Sequence, residues 1–183
     1  MQELSLNILD ITHNSIKADA KKIEIILSES EEKNQIEITI RDDGRGMSEE
    51  LLRGVTDPFV TTRTTRKVGL GIPLFKQSAE STNGEFRISS KVGEGTTVYA
   101  SFQLDHLDRV PIGDISSTVV SLIQANDRIR FVYTHKTDRG TFILDTDDLH
   151  AQLGDVPLSE PAVLNWIGEY INENLEDIQG GKI

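Results

Sequence analysis

QIEITIRDDGRG, residues 35–46, changes character partway along. Up to Arg41 apolar and polar side chains alternate, the pattern of a half-buried β-strand. From Asp42 onward come two acids, then Gly44 and Gly46 two positions apart, which suits a tight turn whose backbone a ligand can approach closely. Asp42 thus stands at a strand end. There a carboxylate can accept a hydrogen bond from the exocyclic amine of adenine and so select adenine over guanine. A plain turn is the alternative, because Asp and Gly are common turn residues.

Working outward, residues 3–18 read as an amphipathic helix. Leu4, Ile8, Ile11 and Ser15 form one stripe, and Glu3, Asn7, Asp10, Asn14 and Lys17 form the other. Residues 22–28 alternate like a strand, and with 35–41 they predict a hairpin across an acidic turn. Ser48 is placed to cap a short helix at 49–54. Residues 57–68 (DPFVTTRTTRKV) lack a period and read as a loop. A helix should follow Gly71, with Ile72, Phe75 and Ala79 inward, and Gly84 should end it through a left-handed cap. Strands are expected at 85–91 and 96–104.

Composition shifts at a connector, residues 105–113, where Pro111 and Gly113 punctuate the chain. Beyond it we expect a small α+β region at 114–178: a helix at 114–125, strands at 128–135 and 140–145, and a helix at 160–176. Ser159 should be the N-cap of that last helix, with Pro161 in its first turn, and the Gln179-Gly180-Gly181 tail should fray.

Asp10, Asn14 and Lys17 are spaced i, i+4 and i+7, so they project from one side of one helix. An amide oxygen can ligate Mg²⁺, which keeps several waters. A carboxylate can orient or deprotonate an attacking nucleophile, and an ammonium can neutralise a phosphate. Gly69-Leu70-Gly71 opens the next helix, where N-terminal amides and the helix dipole attract phosphate. Arg63, Arg66 and Lys67 add cations on a loop that can act as a lid. Gly93-Glu94-Gly95-Thr96 reads first as a hairpin turn, with the Thr96 hydroxyl as a pocket contact. His13 is turned about 100° off the Asn14 stripe and reads as a flanking residue. His106, His135 and His150 lack metal-ligand spacing.

The bulk properties narrow the class. The 183 residues contain no cysteine, so disulfides and thiolate sites are excluded. The net charge of −11 argues against nucleic acid as partner. Residues 1–104 carry 16 acids against 13 bases, and residues 105–183 carry 14 against 6, so the second part is a solvated face or a dock for a basic partner. No apolar run approaches the ~20 residues of a membrane span, and the N-terminus has no signal-peptide pattern. A cytoplasmic protein is expected.

In this order the four blocks resemble the N, G1, G2 and G3 boxes of the Bergerat-fold ATPases, the superfamily of gyrase-type topoisomerases, heat-shock chaperones, histidine kinases and mismatch-repair ATPases. Asp57-Pro58-Phe59 resembles the F box that histidine kinases place before their ATP lid. The resemblance covers residues 1–104 and implies an α+β sandwich, a mixed sheet covered by helices, that binds ATP and Mg²⁺. By position it makes Asn14 the magnesium ligand, Lys17 a phosphate contact and Asp42 the adenine-binding aspartate. It makes Gly44, Gly46, Gly69 and Gly71 the shapers of the pocket, and Thr96 a support for the adenine contact. Met47, Arg63, Lys67 and Leu70 join the nucleotide-binding residues. Over its whole length, including Asp105–Asp114, the chain also resembles small bacterial ATP-binding proteins associated with iron-only hydrogenase systems.

Two departures from the superfamily shape the functional expectation. Asp10 stands where several branches have a glutamate as general base, one methylene longer. The N box begins almost at residue 1, which leaves no room before it for helices carrying a phosphoacceptor histidine. We therefore expect a phosphotransferase similar to histidine kinases and anti-sigma-factor kinases, acting on a protein on another chain. The alternatives are a nucleotide-gated binding module with little catalysis, or a slow ATPase that forms homodimers.

Overall fold

The computed structural model describes residues 3–56 and 70–180. Its elements are α1 (Leu4–Lys17), β1 (Lys22–Ser30), β2 (Gln35–Asp42), α2 (Glu49–Val55), α3 (Gly71–Glu80), β3 (Phe86–Lys91), β4 (Gly95–Gln103), α4 (Ile115–Ala125), β5 (Arg130–Thr137), β6 (Gly140–Asp145), α5 (Thr146–Leu153) and α6 (Pro161–Gln179). The strands form one sheet in the order β3-β4-β2-β1-β5-β6. All neighbours are antiparallel except β1 and β5, which run parallel. The result is a mixed α+β architecture, as expected.

Alternation decides which sheet face is dry. Ile23, Ile25 and Leu27 of β1 pair in register with Asp42, Ile40 and Ile38 of β2, and with Phe131, Tyr133 and His135 of β5. All nine side chains are buried. Helices α1, α3 and α6 pack on the sheet, with α4 held between α1 and α6. Each fully buried isoleucine contributes roughly 1.5–3 kcal/mol, and β1 and β2 supply five of them.

Residues 114–178 form no sheet of their own. Because β5 pairs with β1, the C-terminal strands extend the first sheet, and Phe131, Leu122, Ile167 and Ile171 belong to the same apolar core as Leu4 and Ile25. A parallel neighbour requires a crossover connection, and α4 is the helix in that connection.

Several local expectations need correction. Gly84 is not the left-handed cap of α3; Asn83 takes that conformation at φ +57°, and its amide donates to Gln103 Oε1 at 2.8 Å. Gly84 serves close approach instead, since a Cβ there would lie 1.7 Å from the Ser101 carbonyl oxygen. The N-cap of α6 is Glu160, without a side-chain cap, so Ser159 lies one residue too early. That helix continues to Gln179, whose amide donates to Glu29 Oε1 at 3.1 Å, so Gln179 is anchored and does not fray. Helix α5 is an addition. Only Thr146 and Leu149 of its eight residues are buried, too few to leave a periodic signal, and Asp145 caps it by accepting from the Asp147 amide at 3.0 Å.

His135 has a structural setting. Its Nδ1 lies 2.6 Å from Tyr133 Oη and its Nε2 lies 2.6 Å from Glu29 Oε1. Burial pushes the Glu29 carboxyl up, but the His135 hydrogen bond and charge, with Gln179 and Arg109, outweigh it and hold the carboxyl below its ordinary value.

Candidate functional site

Helix α1 presents Asp10 and Lys17 to solvent and Asn14 half-buried, on one stripe as the spacing requires. The top of that stripe differs from expectation. Asn7 is buried, with no hydrogen-bond partner for its Oδ1 among the described residues. Next to the stripe stands the start of α3. A Cβ added at Gly71 would lie 3.2 Å from Asp10 Cβ and 3.8 Å from Asp10 Oδ2, so the glycine lets the backbone approach the carboxylate. Leu70, the N-cap of α3, offers no side-chain cap to the first amides of that helix. The N-terminal amides of a helix carry the positive end of its dipole and suit an anion.

Asp42, at the end of β2, is buried beneath the last turn of α1. Its Oδ2 accepts from Ser15 Oγ at 2.6 Å, and its Oδ1 accepts from the amides of Gly44 at 2.9 Å and Thr96 at 3.2 Å. Each carboxylate oxygen has about two acceptor sites. The Oδ1 sites are thus taken, whereas among the described residues Oδ2 accepts from Ser15 alone and keeps one site for an outside donor. Ser15 is the functional residue that periodicity hid. Its one signal is that it is a polar residue on the Leu4–Ile8–Ile11 stripe.

The neighbouring turn is built on close contacts. Gly46 has φ +67°, and a Cβ there would lie 1.9 Å from the Lys91 carbonyl oxygen. Gly95 has φ +101°, and a Cβ would lie 1.9 Å from the Asp42 carbonyl oxygen. Met47 donates its amide to Ser90 Oγ at 2.8 Å, and that hydroxyl lies 2.9 Å from Thr96 Oγ1. Thr96 therefore reaches Asp42 through its backbone amide, while its hydroxyl pairs with Ser90. Asp43 has a structural task, accepting from the Lys21 and Lys22 amides at 2.7 and 2.9 Å.

The structure thus gathers Asp42, Gly44, Gly46, Met47 and Thr96 at the strand ends beside the last turn of α1, and sets Leu70 and Gly71 at the helix start beside Asp10, with Asn14 and Lys17 on the same α1 stripe. Arg63, Arg66, Lys67, Gly69 and the Asp57-Pro58-Phe59 segment lie outside the described residues. A groove of about 430 Å³ flanks the same strand ends, lined by Lys22, Glu24, Arg41 and Lys91. Asp42 and Thr96 also line it, whereas none of the α1 stripe does.

Among the described residues no cluster of three or more acids and histidines could enclose a metal ion. A Mg²⁺ that arrives with a polyphosphate needs no such cage, because phosphates and waters fill most of its six positions. The single amide oxygen of Asn14, with no hydrogen bond to its side chain among the described residues, fits that role. Among the described residues no helix is long and apolar enough to cross a membrane.

Known proteins resemble this chain in sequence and in fold. Sporulation kinase C of Bacillus subtilis is 30% identical over 88 residues, which are 48% of this chain and 20% of that protein. Sporulation kinase A of Bacillus subtilis is 27% identical over 96 residues, 51% of this chain and 15% of that protein. The match thus spans a fifth or less of these relatives. Among solved structures, the N-terminal domain of a DNA repair protein superposes with a TM-score of 0.53 at 17% identity, covering 79% of this chain and 53% of that one. The Aquifex aeolicus MutL ATPase domain complexed with ADP gives 0.51 at 14% identity, covering 79% and 63%. At these identities the likeness is one of fold. The family model described as histidine kinase-, DNA gyrase B-, and HSP90-like ATPase matches residues 1–106. The chain belongs to that family.

Proposed function

We propose that the chain binds Mg-ATP between α1, the start of α3 and the end of β2, and transfers the γ-phosphoryl group to a partner protein in bacterial cytoplasmic signalling. The observation that carries this reading is the approach of Gly71 to Asp10, which sets the N-terminus of α3 beside the carboxylate of the polar α1 stripe. Asp42 Oδ2, already fixed by Ser15, accepts from the adenine amine. The amides of α3 and Lys17 hold phosphate oxygens. Mg²⁺, when bound through Asn14, neutralises phosphate charge. Asp10 takes the proton of the attacking group as its bond to the γ-phosphorus forms and the bond to the β–γ bridging oxygen breaks, with ADP leaving. Positioning and charge neutralisation supply most of the acceleration.

Calorimetric Mg-ATP titration with phosphate transfer measured in parallel tests each role. We expect Asn14→Ala and Asp42→Asn to weaken binding at least tenfold, about 1.4 kcal/mol, and Asp10→Ala to bind normally but lose turnover. Turnover unchanged in Asp10→Ala removes the base role, and absence of binding by the native chain removes the whole reading.

A second reading, a nucleotide-gated binding module, is favoured by the packing of α1 against α4, which links the nucleotide side to the C-terminal region. It predicts turnover near zero in the native chain, with partner affinity that differs between ATP and ADP.

A further inference from the structure

The free edge of the sheet at β6 differs from the one at β3. Edge strands normally carry a device against pairing with another chain, such as lysine, proline, a bulge or a covering element. Strand β3 has Arg87 and Lys91, and α2 packs against it. Strand β6, Gly140-Thr141-Phe142-Ile143-Leu144-Asp145, has no lysine, arginine or proline, and its one charge is held by Arg130 at 2.6 Å. Among the described residues no backbone hydrogen bond reaches β6 from any segment but β5. In an antiparallel edge strand every second residue then points its N–H and C=O outward.

Both faces beside this edge carry an exposed large apolar side chain. Ile143 is 59% exposed on the face away from the core, while Phe142 and Leu144 are buried on the other. Above Phe142 lies Tyr170 of α6, with ring centroids 5.6 Å apart, and Trp166 stacks on Tyr170 at 5.3 Å and 11° while remaining 42% exposed. The opposite flank of α6 faces α4, where the Gly168 carbonyl accepts from Ser116 Oγ at 3.0 Å. Trp166, Tyr170, Glu173 and Asp177 follow each other at four, three and four residues, so they share the flank turned toward the β6 edge. Glu173 and Asp177 are exposed.

We propose that β6 is a strand-addition site for an extended segment of another protein, one that alternates apolar and basic residues. Its backbone pairs with the outward amides and carbonyls of β6. Its side chains alternate between the two faces, the apolar ones resting beside Ile143 and the basic ones laying their aliphatic stems past Trp166 to meet Glu173 and Asp177. Charge selects this occupant over a second copy. A two-fold pairing of β6 with itself would set two acidic α6 flanks side by side, in a region that carries 14 acids against 6 bases. The site is independent of the nucleotide pocket, since β1 and β5 stand between β2 and β6.

Trp166 is the chain's one tryptophan, so its emission reports this edge directly. The probe is a short capped peptide of alternating valine and lysine. We expect a saturable blue shift of Trp166 emission, and about fivefold or more weaker binding when glutamate replaces the lysines or when Glu173 and Asp177 are changed to lysine. We also expect loss of binding when alternate peptide amides are N-methylated. Ile143→Lys, at an exposed position, should keep the native unfolding midpoint and bind more weakly. No response to the lysine peptide overturns the proposal, as does an equal response to the N-methylated peptide. Concentration-dependent dimerisation in light scattering that Ile143→Lys abolishes overturns the choice of occupant.

Discussion

Ser15 Oγ donates to Asp42 Oδ2 at 2.6 Å, across 27 positions of sequence, and both side chains are buried. This bond fastens the helix bearing Asp10, Asn14 and Lys17 to the strand end where the adenine is proposed to sit. A buried carboxylate that loses a donor keeps the cost of leaving water, so Ser15→Ala should lower unfolding stability by about 1–3 kcal/mol. Urea titration should show a lower midpoint at unchanged slope. A change within a few tenths of a kcal/mol would mean that water replaces the serine without loss.

Two glycines in one hairpin make a controlled comparison. Gly93 has φ +80° and open space where a Cβ would go, with nothing within 4 Å, whereas Gly95 has φ +101° and would drive a Cβ into the Asp42 carbonyl oxygen. Gly93→Ala should cost about 1 kcal/mol from backbone strain alone. Gly95→Ala should cost about 3 kcal/mol or more and also weaken nucleotide binding, because it displaces Asp42. Equal losses would show that strain, and not the close approach, governs this turn.

Ile167 of α6 is fully buried in the core that also holds Ile25 and Leu4. Ile167→Ala should cost about 2–5 kcal/mol and lower one cooperative transition followed by both circular dichroism and Trp166 emission. Two separated transitions would show instead that the C-terminal region unfolds as its own unit.

Asp145 is held below the usual aspartate value of 3.8, chiefly by its hydrogen bonds to Arg130, at 3.1 Å from Nε and 2.6 Å from Nη2. A depressed folded pKa contributes stability that is present above the unfolded value and fades as pH falls through the folded one. Native protein should therefore exceed Asp145→Asn by about 1 kcal/mol at neutral pH, and the gap should close below pH 3.8. Asparagine still caps α5, so the difference isolates the charge. A gap that persists unchanged into acid would assign the effect to packing.

Much of the fold could be read locally. The alternation of residues 35–41 and the Asp42–Gly46 turn appear where expected, as do α1, the Ser48 cap of α2, with Ser48 Oγ accepting from Leu51 at 3.3 Å, and the helix after Gly71. Helix α5 escaped because eight residues with two buried positions carry almost no period. Gly84 misled because glycine serves two needs, a left-handed backbone or close approach, and only the facing Ser101 carbonyl tells which applies. Asn7 misled in the other direction: polarity placed it toward water, and packing buried it.

The chain by itself determined the Asp10–Asn14–Lys17 stripe, since helical pitch alone puts those side chains on one side, and it determined Asp42 as the residue at a strand end. Only the tertiary structure decided that Ser15 bonds Asp42, that Gly71 meets Asp10, and that β5 joins β1 to make one sheet of both halves. The physical reason is range. Periodicity and turn chemistry act over a few residues and are written in them, whereas these contacts join distant segments whose approach is set by the packing of the whole core.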